Sequence, residues 1–481
     1  MRFGRMARAA GATAVALAVT VGAAAPVFAA PGGPGQEGRP GANRLEGVWR
    51  TDGYGAVMAI SGDRLTSYDV TRSSCTPGLL GERQVGAPGP GGATRYGPPD
   101  KTFAELTVTP RGHGRAVLKA DASVGTVTLE RLPGLPALCR QPAADDPLAV
   151  FDRFWENFKE NYPFFAAKGI DWHAVRDHYR PQVGPQTTDD RLQQIFVEMI
   201  EPLHDAHTGL ARARAGGGLT PVFGGLRPGT AQPTEELRKR SAEAVAAQLL
   251  APEVLFGGGR LGVGELPGGI GYLRVSGFDD YVDDGGYQAQ AAELDRALDA
   301  LLAGPARPHG LVIDVRLNGG GSDELGLRIA ARLTDRPYLA YRKVARNDPD
   351  DPTRFTNPQP IPVRPAAGAR HTGPVALLTA GSTVSAGETF TQALIARSPH
   401  VTRIGENTQG VFSDIMIRLL SPTFAVILPN EKFLTPDGSS FDGPGIPPDV
   451  RTPVFTPEEL EGLKDSALSR ARQALGGSSG T

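Results

Sequence analysis

Two stretches of this chain, residues 311–315 and 375–379, are β-prone, mostly apolar runs that end in turns of small residues and then enter helical patterns. A strand without polar alternation has to be covered on both faces, and one that feeds a helix returns to its sheet by a crossover. A third β-prone run, 271–275, precedes a helical face made by Leu294, Leu298, Leu301 and Leu302. The combination requires an α/β core with parallel strand pairing.

At 481 residues the chain exceeds what one hydrophobic core organises, so two or three domains are expected. Lys and Arg total 50 against 52 for Asp and Glu, which leaves no overall field to recruit nucleic acid or an anionic membrane. Arg2, Arg5 and Arg8 precede a small-residue apolar run over 9–25 and then Val27-Phe28-Ala29-Ala30. That is the layout of an export signal over 1–30, cleaved near Ala29 or Ala30, and the run is too short and Ala-rich for a membrane anchor. A secreted, extracellular protein without stable membrane insertion is expected. Cys75 and Cys139 would then reside where disulfides persist, and a structural bridge is expected, with two free buried thiols as the alternative.

Residues 31–44 are Gly, Pro and polar and read as a disordered tether. From 45 to 142, short runs such as 56–60, 103–108 and 126–129 alternate with turn residues, which predicts a small antiparallel β-domain. A helical subdomain follows over 146–214. It opens on the cap Asp146-Pro147, carries Phe151, Phe154, Trp155, Phe158 and Tyr162 on one stripe, and repeats the spacing at Leu192, Ile195, Phe196, Met199 and Leu203. Pro202 should end or bend that second helix just before His204. Residues 215–268 read as a connector or flap with a helix around 235–250, 269–455 as the α/β core, and 456–481 as a C-terminal helix and tail. Within the core, runs 414–420 and 424–428 are joined by Ser421-Pro422-Thr423 as a hairpin or corner.

Four elements could carry chemistry. Ser385 lies in Thr383-Val384-Ser385-Ala386-Gly387-Glu388, where a strand-to-helix turn exposes a serine oxygen at the positive end of a helix; a plain N-cap is the bland alternative. Asp314-Val315-Arg316-Leu317-Asn318-Gly319-Gly320-Gly321 lets backbone approach a ligand and turn an N–H toward a developing oxyanion, and it lacks the ending of a phosphate loop. His204-Asp205-Ala206-His207 offers a base among only eight histidines; a zinc site competes, without a clear third ligand. Asp442, between turn residues, could orient that base. Arg316 and Glu388 read as structural partners of their strand and helix.

Taken in order, these elements resemble the C-terminal-processing peptidases and their tricorn-core and retinoid-binding-protein relatives: Asp-x-His, Asp-x-Arg-x-Asn-x-Gly-Gly, Ser-Ala-x-Glu, then acid-Gly-x-Gly-x-x-Pro-Asp. The resemblance spans roughly 146–450 without the connector. It implies a crotonase/ClpP-like core of βαβ superhelical type, Ser385 as nucleophile, His207 as general base, Asp442 as its orienter, and Gly320 and Ala386 N–H groups as the oxyanion hole. Two departures stand out: Asp442 replaces a Glu, and Ala206 replaces a Ser beside the base. Val411 occupies the position of the lysine in the branch that uses a Ser–Lys dyad, which excludes that base there. The connector is too short and too rich in Gly and Pro for a PDZ module. The expected function is therefore an exported serine peptidase acting on peptides or unfolded proteins by an acyl-enzyme route, with no metal and no organic cofactor. A non-catalytic binder of apolar ligands on the same fold, and a generic esterase, are the alternatives, and the sequence leaves the oligomeric state open.

Overall fold

The computed structural model describes residues 44–97, 105–213, 218–283, 285–304 and 307–476. The expected export signal, all but the last residue of the tether, Phe103 and the last five residues of the tail lie outside them. Among the described residues, no helix is long and apolar enough to cross a membrane.

The N-terminal β-domain is a closed eight-stranded antiparallel barrel running from Gly47–Thr51 to Val127–Leu132, whose first and last strands pair. Closure removes both sheet edges. Its interior is filled by alternate residues, among them Trp49, Met58, Leu65, Tyr96, Val108, Leu118 and Leu129. Cys75 and Cys139 are bonded to each other, tying the fourth strand, Cys75–Gln84, to the short turn Ala137–Arg140 that leads out of the barrel. Closing a loop of 64 residues stabilises such a domain by about 2–4 kcal/mol.

Helix Pro147–Asn161 starts where the cap requires, with Asp146 Oδ1 accepting from the Leu148 and Ala149 N–H groups. It packs its aromatic stripe on Asp189–Ile200, where Phe154 stacks on Phe196 with centroids 4.1 Å apart. Pro202 ends that helix at Ile200 and turns Glu201–Leu203 into a single 3-10 turn. The partner of this subdomain is not wholly local. Strands Ile415–Leu419 and Phe424–Pro429, expected in the α/β core, form an antiparallel hairpin that joins Gly209–Ala213 and Leu219–Gly224 in a four-stranded sheet. Leu420, Phe424, Val426 and Leu428 close the aromatic cluster, so burial of those apolar residues decided where the hairpin went.

The core is a seven-stranded sheet in the order Val254–Phe256, Leu261–Leu266, Ile270–Val275, Gly310–Asp314, Val375–Thr379, Val401–Gly405, Val450–Arg451. Pairing is parallel from Ile270–Val275 onward and antiparallel at the other edge. Two of these strands, Val254–Phe256 and Leu261–Leu266, come from the segment read as connector, so the boundary expected at 268 falls inside the sheet. Gly257–Gly259 between them forms a tight turn rather than a flap, which is why the glycines misled. Alternate residues of the central strands face opposite ways: Leu311, Ile313, Val375 and Leu377 pack on helices Gly286–Leu302, Asp323–Ala331 and Ala386–Ile395. Val312, Ala376 and Leu378 pack on the C-terminal helix Ser466–Gly476.

Candidate active site

Ser385 stands between strand Val375–Thr379 and helix Ala386–Ile395 with φ 57° and ψ −123°, a backbone conformation that a residue with a Cβ seldom adopts. It caps nothing with its side chain, so the plain N-cap reading does not account for it. The turn is held from both sides. Thr383 Oγ1 donates to Val315 O at 2.8 Å, Val384 N–H to Asn318 O at 3.1 Å and Ser385 N–H to Val411 O at 3.1 Å. Gly320 passes so close that a Cβ there would meet Ser385 Cβ at 2.7 Å, and its own φ of 98° suits glycine. The glycine turn and the serine turn are thus one packed unit at the ends of two adjacent parallel strands.

Arg316 behind that unit is fully buried and bridges Asp314 and Asp465 through Nε, Nη1 and Nη2 at 2.6–2.9 Å. Glu388 accepts from Gly410 N–H at 2.6 Å and Val411 N–H at 2.8 Å, and burial pushes its carboxyl up to about 8. Both therefore serve as struts.

His207 follows the 3-10 turn and is 7% exposed. Its N–H donates to Asp205 Oδ1 at 2.8 Å, while Asp205 Oδ2 accepts from Tyr162 OH at 2.8 Å. Its Nδ1 is buried without a hydrogen-bond partner among the described residues. Burial lowers the imidazole below its ordinary value, opposed by the carboxylates of Asp205 and Asp414 and by the Ser413 backbone. His204 is exposed and left-handed, so the two histidines of the motif do not share one environment.

One short segment, residues 410–414, links His207 and Ser385. Val411 O receives Ser385 N–H, and the Ser413 backbone lies against His207. Ser385 and His207 thus both bear on this five-residue strip, the serine at Val411 and the imidazole at Ser413. Acids pin the strip along its length: Glu388 at Gly410 and Val411, Asp442 Oδ1 at Phe412 N–H (3.4 Å), Glu431 Oε2 at Asp414 N–H (3.1 Å).

Residues 269–452 match peptidase family S41, and residues 144–201 match the tricorn protease C1 domain. This chain belongs to peptidase family S41. Like that family, it is a serine peptidase hydrolase acting on peptides or proteins, and the apolar-ligand-binding alternative is not favoured. Among solved structures, a candidate peptidase from Parabacteroides merdae ATCC 43184 has the same fold, with a TM-score of 0.57 and 24% identity over 69% of this chain and 97% of that one. The tricorn protease aligns with a TM-score of 0.43 and 15% identity over 88% of this chain and 45% of its own. No curated protein matches the sequence.

Two roles that the S41 resemblance implied meet different geometry. The Gly320 N–H is not free: it donates to Asn318 Oδ1 at 2.9 Å, because the Asn318 side chain folds back over its own turn while its Nδ2 holds Val275 O. The N–H groups of Ala386 and Gly321 make no hydrogen bond among the described residues. Asp442 does not bond His207: its carboxylate is taken by Phe412 N–H and Ser440 Oγ (2.5 Å), and burial beside Asp205 pushes it up to about 7. The carboxylates that bear on the imidazole are Asp205 and Asp414. Asp205 was visible between the two histidines; Asp414, Glu431 and Lys343 were not singled out. The only signal for them is a charged residue at the start of, or within, an otherwise β-prone run.

Proposed function

We propose that Ser385 is the nucleophile of an acyl-enzyme mechanism and His207 its general base. The observation that carries this reading is the strained serine at the N-terminus of helix Ala386–Ile395, beside an unengaged Ala386 N–H and on the same strip as a buried histidine. His207, kept neutral by burial, would take the Ser385 proton as Oγ attacks a peptide carbonyl; the tetrahedral oxyanion would receive Ala386 N–H and an N–H of the Gly320-Gly321 turn. Collapse would release the amine with the proton returned by the imidazolium, and water would free the acyl group by the reverse sequence. Among the described residues no hydrogen bond yet joins Ser385 Oγ to His207, as in many sites without substrate. Asp442 acts in this reading through the Phe412 backbone. Assignment of the core to the crotonase/ClpP-like class is part of the same proposal, supported by the repeated strand–helix crossovers onto one parallel sheet. So is export, supported by the basic and apolar pattern of residues 1–30.

The test uses protein recovered from the medium of expressing cells, expected to begin near Pro31 by mass spectrometry. Hydrolysis of a broad peptide mixture by it should fall by about 10⁴-fold or more in Ser385→Ala and in His207→Ala, with folding intact. Full activity in either variant removes that residue from the mechanism, and an intact N-terminus on cell-bound protein refutes export.

A further inference from the structure

The barrel is closed and its interior is filled mainly by apolar side chains. Two of its loops nevertheless end in the ionic cluster behind His207. Lys343 Nζ lies 3.1 Å from Glu431 Oε1 and 3.5 Å from Asp414 Oδ2, with Lys343 4% and Glu431 2% exposed. Ser123, in the loop between the last two barrel strands, donates from Oγ to Asp414 Oδ2 at 2.5 Å. Tyr54, in the turn between the first two, donates from its hydroxyl to Glu431 Oε1 at 2.6 Å.

The Ser123 loop is itself wedged into the peptidase. Ala122 O accepts from Ser322 Oγ at 2.6 Å, one residue beyond the glycine turn, and Val124 is 2% exposed within the core cluster that includes Phe278 and Phe390. Gln359 receives Thr126 N–H at 2.8 Å and returns a bond to Thr126 O at 2.7 Å. The loop therefore runs from the glycine turn beside Ser385 to the carboxylate beside His207.

We propose that Ser123 and Tyr54 are positioning residues for the His207 base, fixing the carboxylates of Asp414 and Glu431 about Lys343 so that the Ser413–Asp414 end of the strip stays against the imidazole. The inference rests on the reading of His207 as base. It gives the barrel a part in catalysis without contact with substrate. The charged groups that face His207 are Asp205 from its own turn and Asp414 from the strip. Lys343, Glu431 and Asp323 surround Asp414 in turn. Lys343 itself is a poor base, since Glu431 and Asp414 outweigh burial and hold it well above the ordinary lysine value.

Without the Ser123 hydroxyl, Lys343 is the one side chain among the described residues that still bonds Asp414 Oδ2, and the half-exposed carboxylate should turn toward that cation or toward solvent and away from His207. The imidazole then loses part of what favours its charged form, and its titration moves down.

The experiment is carried out on the full chain with Ser123→Ala, Tyr54→Phe and the conservative Ser123→Thr. Histidine NMR should show the His207 midpoint lower by about half a pH unit in Ser123→Ala, in the same direction in Tyr54→Phe, and restored in Ser123→Thr. The turnover number kcat should fall about tenfold with KM within twofold, and the acid limb of its pH profile should move to lower pH. An unmoved His207 midpoint in both Ser123→Ala and Tyr54→Phe overturns the proposal, even where kcat has fallen, because that pattern marks a merely structural contact. If His207→Ala abolishes hydrolysis while the midpoint stays put, only this proposal fails. If His207→Ala hydrolyses normally, the reading of the base fails and this one with it.

Discussion

The turn that carries Ser385 is stitched by backbone and hydroxyl groups to its neighbour in the sheet, whereas the turn that carries His207 is set by carboxylates, one buried in the turn itself and others brought from distant parts of the chain. On the first side, Thr383, Val384 and Ser385 bond Val315, Asn318 and Val411, and Gly320 admits no Cβ. On the second, Asp205, Tyr162, Asp414 and, through the backbone, Asp442 set the histidine. The difference suits the roles proposed for the two residues. A nucleophile needs one fixed direction of attack, which packing supplies; a base needs a tuned charge, which only neighbouring charges and burial supply.

The most severe break should come on the packed side. Gly320→Ala places a methyl 2.7 Å from Ser385 Cβ and forces a positive φ on alanine. Peptide hydrolysis should drop about a thousandfold, with a lower melting temperature. A variant with normal turnover would show that the two turns are not packed as one unit.

A smaller loss is expected on the charged side. Asp205→Asn keeps an acceptor for His207 N–H and a partner for Tyr162 but removes the charge. A fall in kcat of about a hundredfold should result, and the acid limb should move to lower pH because the carboxylate that raised His207 is gone. An acid limb that moved upward in kcat measured from pH 5 to 9 would contradict this electrostatic account.

Asp442→Asn should affect catalysis least. The amide oxygen still accepts from Phe412 N–H, and the amide nitrogen can donate to Ser440 Oγ in place of accepting from it, so kcat should change less than about threefold, against the roughly 10⁴-fold expected of a direct orienter. Its signature lies in stability. Burial raises the folded carboxyl from an unfolded value of about 4 to about 7, so its stabilising contribution is fully present below the lower value and lost as pH rises through the higher one. Melting temperatures of variant and wild type should coincide near pH 4, with the variant gaining on the wild type toward pH 8.

How much of this was legible in the sequence follows the same division. The helix cap at Asp146, the stop at Pro202, the β-domain, and the two strand-to-helix turns with Ser385 and Gly320 all rest on contacts within a few residues or on a repeating apolar pattern. The exceptions are long-range. Leu261–Leu266 reads as part of a glycine-rich connector yet pairs in the core sheet, and the hairpin Ile415–Pro429 leaves the core to cover the aromatic helices. Asn318 and Asp442 kept their places in the motif, but where each side chain bonds depended on which backbone N–H lay nearest.

By itself, then, the sequence determined the parallel α/β core, the family and the strand-to-helix turn that carries Ser385, because local periodicity and turn chemistry are written residue by residue. Only the tertiary structure decided which acids surround His207, that the barrel reaches the site through Ser123 and Tyr54, and that Asp442 acts on backbone. Burial and Coulomb interaction depend on distances between residues hundreds of positions apart, and no local pattern encodes those distances.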